Sequence, residues 1–336
     1  MDRKIVAIGV LLTGLLVAMP VLAQDYVWTS DRPDGHAPAG VKSDFLLPFG
    51  DLYIGYRYSS QKFRGTLVGT DVIADFEILD FFSVAPVALD RWTGEIDVRF
   101  GLTPFLTLEG SIPWVRNEIL NTTDTGFFES SSEFLGDISV RGLFEILKMD
   151  GYRLSATLGA TIPFGKISKR GLTSSGVRGV LPFPMQGGSG SPDVLVGATF
   201  LAQNELASMG AQFNSVIRVV NNRKGYRLGD EFDFTVWGAY NVTDWVSFSL
   251  RTIFQTQGEI KGSDSRTDGL IDPLANPFAQ GGDRVLLPIG VNLYLRDGKA
   301  AGHRLSIEFY YPIHEDLNGP QMSIDRTLVL SWQTVF

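Results

Sequence analysis

The sequence has no cysteine, only three histidines, and a formal net charge of −8. Without cysteine, the chain has neither disulfides nor thiolate metal ligands. Beyond the N-terminus there is no run of about 20 apolar residues, so no membrane-spanning helix is expected there. An acidic chain with no glycine-rich phosphate loop between a strand and a helix is also a poor candidate for nucleotide or nucleic-acid binding. We therefore expect no cofactor and no nucleic-acid partner.

The first residues have the layout of a secretory signal peptide. A short basic start precedes an apolar run from Ile5 to Val17, and Ala23 is a small residue suited to a cleavage site. An anchor that spans a bilayer needs about 20 apolar residues, and this run is shorter. We assign residues 1–23 to the signal peptide, with cleavage near Ala23, and expect export to the bacterial outer membrane.

Apolar residues recur at every second position in many segments after residue 49. Between residues 92 and 100, the apolar positions alternate with Thr93, Glu95, Asp97 and Arg99. Successive side chains of a strand point to opposite faces, so each such segment predicts a strand with one apolar and one polar face. Twelve strands are predicted, near residues 50–59, 92–101, 105–115, 134–146, 152–164, 192–203, 211–221, 231–241, 246–257, 284–296, 304–313 and 322–336.

Short and long connections alternate between these strands. The long ones are predicted near 60–91, 116–133, 165–191, 222–230, 258–283 and 314–321. An even number of strands with short turns at one end and long loops at the other is typical of outer-membrane barrels. We therefore predict that residues 49–336 form an all-β fold, a transmembrane antiparallel β-barrel of about 12 strands with its apolar face toward lipid. Trp92, Trp114, Trp245 and Trp332 lie near predicted strand ends, as an interfacial girdle would.

The last predicted strand places Leu328, Leu330, Trp332 and Phe336 on one face. Outer-membrane barrels commonly end in such a strand, which the barrel-assembly machinery reads. We interpret these four residues as an assembly signal, with both mature termini in the periplasm. The alternative is an ordinary terminal strand that happens to end in phenylalanine.

Several segments resemble a family of bacterial outer-membrane transporters assigned to the MetA pathway of phenol degradation. The resemblance lies in the runs 31–41, 53–58, 290–295, 303–308 and 316–321, which read DRPDGHAPAGV, YIGYRY, GVNLYL, HRLSIE and DLNGPQ. The resemblance implies a barrel that passes small compounds, with aromatic compounds as candidates. Family members often carry histidines soon after the first motif, but this chain has Lys42-Ser43-Asp44-Phe45 there. The resemblance therefore gives no support for a metal role.

Charged residues on the predicted polar faces are candidates for the lining of a solute path. They are Glu95, Asp97, Arg99, Glu109, Asp137, Arg141, Arg218, Asp233, Arg251 and Glu308. Charged side chains inside a barrel can bias the passage of solutes. The structural alternative is that opposite charges on neighbouring strands, such as Arg99 and Glu109, pair across the sheet and only close the barrel.

Residues 24–48 have few strand signals and several prolines and glycines. This segment is expected either to fold into the lumen as a plug or to extend into the periplasm as a disordered arm. It contains the motif Asp34-Gly35-His36. A metal site needs three or four converging ligands, so a single histidine here does not predict one.

An enzymatic barrel would need a serine and a histidine within hydrogen-bond reach, with a third group to orient the histidine. His303 lies in a predicted turn and His314 is phased toward the lumen, and neither has a serine in phase. We do not expect an enzyme. The leading hypothesis is a channel for passive diffusion of small solutes, with aromatic or hydrophobic compounds as candidates. The alternative is a structural or surface-interaction barrel that works through its long loops.

Overall fold

The computed structural model describes residues 26–336. The predicted signal peptide and its cleavage site near Ala23 lie outside the described residues. Within residues 26–336, no helix is both long enough and apolar enough to cross a bilayer.

Almost all regular structure in this region is antiparallel strand. The elements in chain order are β1 (Leu52–Gly69), β2 (Asp71–Ile73), α1 (Asp75–Leu79), β3 (Ala85–Thr103), β4 (Leu106–Thr123), β5 (Gly126–Leu135), β6 (Ile138–Met149), β7 (Tyr152–Ile162), β8 (Arg170–Leu172), β9 (Arg178–Val180), β10 (Asp193–Gln203), β11 (Ala207–Arg218), β12 (Tyr226–Arg227), β13 (Glu231–Thr243), β14 (Val246–Gln257), β15 (Lys261–Gly262), β16 (Gly282–Tyr294) and β17 (Arg304–Val335). Short 3-10 helices lie at Phe183–Met185, Pro273–Ala275, Pro277–Ala279 and Gly298–Ala300.

Eleven of these elements form a closed ring. The order is β1, β3, β4, β6, β7, β10, β11, β13, β14, β16 and β17, and β17 pairs back to β1. Closure leaves the ring without an open edge, so backbone hydrogen bonds are made between strands throughout, as a lipid environment requires.

Strand β17 crosses the barrel twice. Its first residue, Arg304, pairs with Tyr294 of β16, and its last, Val335, pairs with Tyr53 of β1. Leu317 pairs with both β1 and β16, so the chain turns back close to this residue. The ring therefore contains twelve crossings, and the prediction of an antiparallel barrel of about 12 strands is confirmed.

The barrel has its apolar face outside. On β3, Ile96 is 49% exposed and Val98 is 42% exposed, whereas Asp97 and Arg99 between and beyond them are each 1% exposed. A water-soluble barrel would bury the apolar set instead. This reversal is the pattern of a barrel that faces lipid.

Two predicted long loops are wrong. Most of 60–91 and 116–133 is strand, because β1 runs on to Gly69, β3 begins at Ala85, and β4 and β5 form a hairpin around residues 124–125. Several outward side chains of these extensions are charged, so they break the apolar alternation on which the prediction relied. They include the ion pairs Arg64–Asp90 and Arg116–Glu118.

The predicted loop 314–321 is also wrong, because it lies within β17 as a tight hairpin. A register shift in the pairing of β16 with β17 places Glu315 opposite Arg284, and their side chains form an inward ion pair at 2.8 Å. His314 consequently pairs with Val285 on the other face. The expectation that His314 points into the lumen is therefore wrong as well.

The two ends of the barrel differ. The turn end carries short connections, such as residues 104–105, 150–151 and 244–245. The loop end carries the segments 163–192, 219–230 and 258–281. The first and the third of these, called the inward loops below, fold into the barrel. Leu181, Met185 and Leu274 of these loops are buried in an apolar cluster with inner-face residues of the strands. The wall members of this cluster include Phe63, Leu89, Ile119, Ile253, Leu286, Met322 and Ile324.

Candidate functional site: the barrel lumen

Nine of the ten predicted lining residues lie on the inner face of a strand, and the tenth, Asp137, lies between β5 and β6. Asp137 borders the lumen, but its carboxylate accepts the backbone N–H groups of Gly165 and Ser189, each at 2.8 Å. It therefore ties a long loop to the wall.

Many inner-face charges are paired. Glu109 forms ion pairs with Arg99 at 2.8 Å and with Arg141 at 2.9 Å, and these two arginines lie on the neighbouring strands. Arg251 pairs with Glu308 at 2.9 Å, although β16 separates their strands. The pairing that the sequence allowed between Arg99 and Glu109 is present, which supports a structural contribution from these charges.

The segment from Tyr26 to Pro48 lies inside the barrel, starting from the turn end. Near its start, Thr29 donates its backbone N–H to Gln203 of the wall at 3.0 Å, and Arg32 forms a bidentate pair with Asp34 of the same turn at 2.5 and 2.8 Å. The wall holds this turn through Arg304, which donates to the Arg32 carbonyl at 2.6 Å, and Ser208, which donates to the Asp34 carbonyl at 2.7 Å. A polar network therefore fixes the start of the segment.

Deeper in the lumen, the segment presents its backbone to charged wall residues. Gly40 donates its N–H to Glu308 at 2.6 Å, and Arg57 of β1 donates to the carbonyls of Ala39 and Val41. A Cβ on Gly40 would lie 1.7 Å from the Tyr310 hydroxyl oxygen. Only glycine allows this close approach.

The end of the segment meets three of the predicted lining residues. Lys42 pairs with Glu95 at 2.6 Å, Ser43 donates to Glu109 at 2.8 Å, and Asp44 pairs with Arg99 at 3.0 Å. Side chains that the sequence assigned to a solute path are therefore engaged by residues 42–44. Periodicity identifies which residues face inward, but it carries no information about a partner that lies outside the strands.

Arg57 is a site residue that the sequence analysis missed. It lies on the inner face of β1 and also pairs with Glu95 at 2.9 Å. The signal was available, because Arg57 lies between the outward Tyr56 and Tyr58 in the same alternating pattern.

The Asp34-Gly35-His36 motif forms a packed turn. Gly35 approaches Ser30 so closely that a Cβ would lie 2.4 Å from the Ser30 carbonyl oxygen. His36 stacks on Phe45 with 3.9 Å between ring centroids, and its Nδ1 is 2.9 Å from Nε2 of Gln333. Burial, together with the positive charges of Arg304 and Arg99, holds the pKa of His36 well below its usual value.

Apolar contacts also hold the segment against the wall. Val41 packs with Leu201 and Trp237 of the wall, and Trp28, Ala37 and Phe45 pack against this group. The segment therefore fills the turn end of the lumen with both polar and apolar contacts.

Above Lys42 the lumen contains a cavity of about 740 Å³. Its floor includes Lys42, and its roof includes Pro184, Gln186 and Leu274 of the inward loops. Five basic and four acidic residues line it: Lys42, Arg91, Arg141, Arg218 and Arg284, with Glu95, Asp137, Asp193 and Glu231. Phe63, Leu195, Val216, Met322 and Ile324 add apolar surface. The balance of charge leaves no strong field to concentrate ions of one sign.

The last strand pairs with the first over its outward residues. Leu328, Leu330 and Trp332 lie opposite Ser60, Tyr58 and Tyr56 of β1, and Phe336 exchanges two backbone hydrogen bonds with Leu52 at 2.8 and 3.0 Å. Trp332 also donates its Nε1–H to His303 Nδ1 at 3.0 Å. The four residues proposed as an assembly signal therefore lie along the seam that closes the ring.

No family model and no curated protein matches the sequence. Among solved structures, the chain is similar to the COG4313 outer membrane channel from Pseudomonas putida F1, with a TM-score of 0.60 and 14% identity over 88% of this chain and 99% of that one. It is more distantly similar to the Ralstonia pickettii toluene transporter TbuX, with a TM-score of 0.45 and 10% identity over 94% of this chain and 99% of that one. The first likeness shows that the two chains share an outer-membrane barrel fold.

Proposed function

We propose that this protein is an outer-membrane channel for passive diffusion of small solutes, and that residues 26–48 close its periplasmic end. The observation that carries the proposal is the cavity of about 740 Å³ that lies between this segment and the inward loops. A barrel with only a structural role would gain stability from a filled lumen. Residues 26–48 enter from one end and are held by hydrogen bonds, ion pairs and apolar contacts without pairing to any strand of the ring, so their release would open a path.

Uncharged compounds are the solutes that fit the cavity best. Its lining mixes nearly balanced charge with apolar side chains, so it favours neither cations nor anions. Small aromatic or hydrophobic compounds are our leading candidates. The proposal places the protein in the outer membrane of a bacterium after signal-peptide cleavage near Ala23, with surrounding lipids and the barrel-assembly machinery as partners.

Gly40→Val tests the closing role. The added side chain has no room beside Tyr310 and Arg251, so it should displace the segment while leaving the wall unchanged. In planar bilayers we expect single-channel conductance to rise several-fold over the unaltered protein. Gly110→Val is the matched control, because a Cβ there meets nothing within 4 Å. Both variants should keep the heat-modifiable gel migration of a folded barrel.

If neither the protein nor Gly40→Val conducts, and liposomes containing them take up no labelled aromatic compound, the channel proposal is wrong. If the protein does conduct, growth of a deletion strain on a panel of aromatic and aliphatic carbon sources would narrow the solute class.

A surface-interaction barrel is the second candidate, and one observation favours it. Phe76, Phe81 and Leu270 at the loop end are 71%, 82% and 80% exposed. Exposed large apolar side chains in one region often mark a binding surface. If this is the function, serine substitutions at the three positions should reproduce the growth defect of a deletion strain while conductance stays unchanged.

A further inference from the structure

A second cavity, of about 290 Å³, lies at the loop end, separate from the lumen cavity. It is enclosed by the upper parts of β4 and β5 and by the loop segments 172–182 and 266–275. Its apolar lining includes Ile119, Phe128, Leu172, Val177 and Leu181. The volume suits a molecule of one or two rings.

Polar residues also line this pocket, and two of them, Asn121 and Asp272, offer acceptor oxygen atoms near the apolar side chains. Asn121 of β4 is 5% exposed, and its Oδ1 has no hydrogen-bond partner among residues 26–336. A buried carbonyl oxygen without a partner loses its hydration and gains no hydrogen bond in return, so such atoms in native proteins call for an explanation. A ligand that donates a hydrogen bond would provide one.

Asp272 is the second group. Its Oδ1 accepts the Leu274 N–H at 2.9 Å, and in the described part of the chain it takes part in no ion pair. Burial raises the pKa of this carboxyl to about 6. The pocket therefore offers acceptor atoms at an apolar surface, and its basic member, Arg266, is already paired with Asp264 at 2.5 Å.

We propose that this pocket binds a small apolar molecule that carries a hydrogen-bond donor, such as a hydroxyl group. Asn121 recognises the donor and the apolar lining holds the body. The site goes beyond the proposed channel, because binding here requires neither an open lumen nor movement of residues 26–48.

The surroundings of the pocket suit capture of an apolar molecule from solution. Ile271 lines the pocket, and its carbonyl accepts the backbone N–H groups of Ser83 and Val84. This contact brings Phe81, two residues before Ser83, and Leu270 to the same region, and both are about four-fifths exposed. They form an apolar rim on which a solute can first adsorb.

The floor of the pocket adjoins the lumen. Ile119 and Leu181 line the pocket and also belong to the apolar cluster that contains Met185 and Leu274. Leu274 in turn lines the lumen cavity. A bound molecule would therefore lie one layer of side chains above the proposed path.

The test compares 2-naphthol with naphthalene, which share a ring system and differ by one hydroxyl. Equilibrium dialysis against the full-length protein in nanodiscs, with empty nanodiscs subtracted, gives both Kd values. One hydrogen bond should make 2-naphthol bind roughly ten-fold more tightly. Asn121→Leu, which keeps the side-chain size and removes the amide, should bring the two Kd values within about two-fold of each other.

Ala275→Phe is the second variant, because Ala275 lines the pocket and a phenyl ring there would fill it. It should abolish binding of both probes. Phe278→Ser is the matched control, since Phe278 lies on the same loop, is 72% exposed and does not line the pocket. Heat-modifiable migration shows that each variant is folded.

Absence of binding to the unaltered protein, or undiminished binding to Ala275→Phe, would overturn the site. Equal Kd values for the two probes would overturn the role of Asn121. Failure of the channel proposal would appear separately, as an absence of conductance, and would leave these binding results standing.

Discussion

A charged side chain inside the barrel loses hydration, and its partners must offset that cost. The Arg251 and Glu308 side chains are 3% and 1% exposed and satisfy each other through two hydrogen bonds of 3.0 and 2.9 Å. Glu308 also accepts the Gly40 N–H. One ion pair therefore links strands β14 and β17 to the segment that fills the turn end.

Removal of one partner should be strongly destabilising. Arg251→Met leaves Glu308 buried without its counter-charge, so we expect the free energy of unfolding in urea to fall by about 3–5 kcal/mol. Arg116→Met is the control, since Arg116 pairs with Glu118 on the exposed outer face, and it should cost no more than about 1 kcal/mol. Equal losses in the two variants would contradict a special role for the inner pair.

His36 should make the closure sensitive to pH. Its pKa in the docked segment lies below the value of about 6.5 for a free histidine. The released segment therefore takes up a proton more readily than the docked one. Docking is unaffected above pH 6.5 and weakens as the pH falls below it.

We expect conductance to increase as the pH is lowered from 7.5 to 5. The charged groups that face His36 are Arg304 and Arg99, and both remain positive throughout this range. His36→Asn keeps a polar side chain near Gln333 and should flatten the pH profile. An unchanged profile in this variant would assign the pH dependence to another group.

At the scale of elements, periodicity predicted the strands only where they cross the apolar belt. Trp92 and Trp114 lie inside long strands, at the level where outward apolar residues give way to outward charges. Above that level the outer face carries charges such as Asp90 and Glu118, and the inner face mixes polar residues with apolar ones such as Leu89 and Ile119. The strands therefore continue without the apolar-polar alternation that revealed them. The fold was predictable because lipid imposes the alternation, whereas strand length beyond lipid is set by pairing alone.

The site was predictable to the same degree. The alternation identified inner-face residues such as Arg99 and Glu109, because facing is a local property. It could not show that Asp44 and Ser43 bind them, since those contacts join the strands to a segment without a repeating pattern. Nor could it locate the bulge in β17 that turns His314 outward.

Asp137 allows a test of how the loops are held. Asp137→Ala removes the acceptor for the Gly165 and Ser189 N–H groups, so the loop between β7 and β10 should open more often. We expect limited trypsin cleavage between residues 166 and 178 to accelerate roughly ten-fold, as loss of charge-assisted hydrogen bonds implies. Asp124→Ala, in the exposed β4–β5 turn, should leave the rate unchanged, and a similar rate for both would contradict the tether.

At the scale of the whole molecule, the strands are joined to one another by backbone pairing, whereas the internal segment is attached to the ring without such pairing. The strands form a closed ring in which each pairs with two neighbours. The segment adds contacts to the inner face but no strand to the ring. Wall charges that it covers, such as Glu95 and Arg57, also pair with each other. The ring should therefore be stable when water replaces the segment.

Deletion of residues 26–48 tests this division. We expect the remaining barrel to keep its heat-modifiable migration and strand content, because no ring hydrogen bond is lost. Conductance should exceed that of Gly40→Val, since that variant displaces the segment but leaves it in the lumen. The pH dependence should disappear together with His36. A deletion variant that fails to fold would instead show that the segment is part of the structural core, and a folded variant that remains closed would place the barrier in the inward loops.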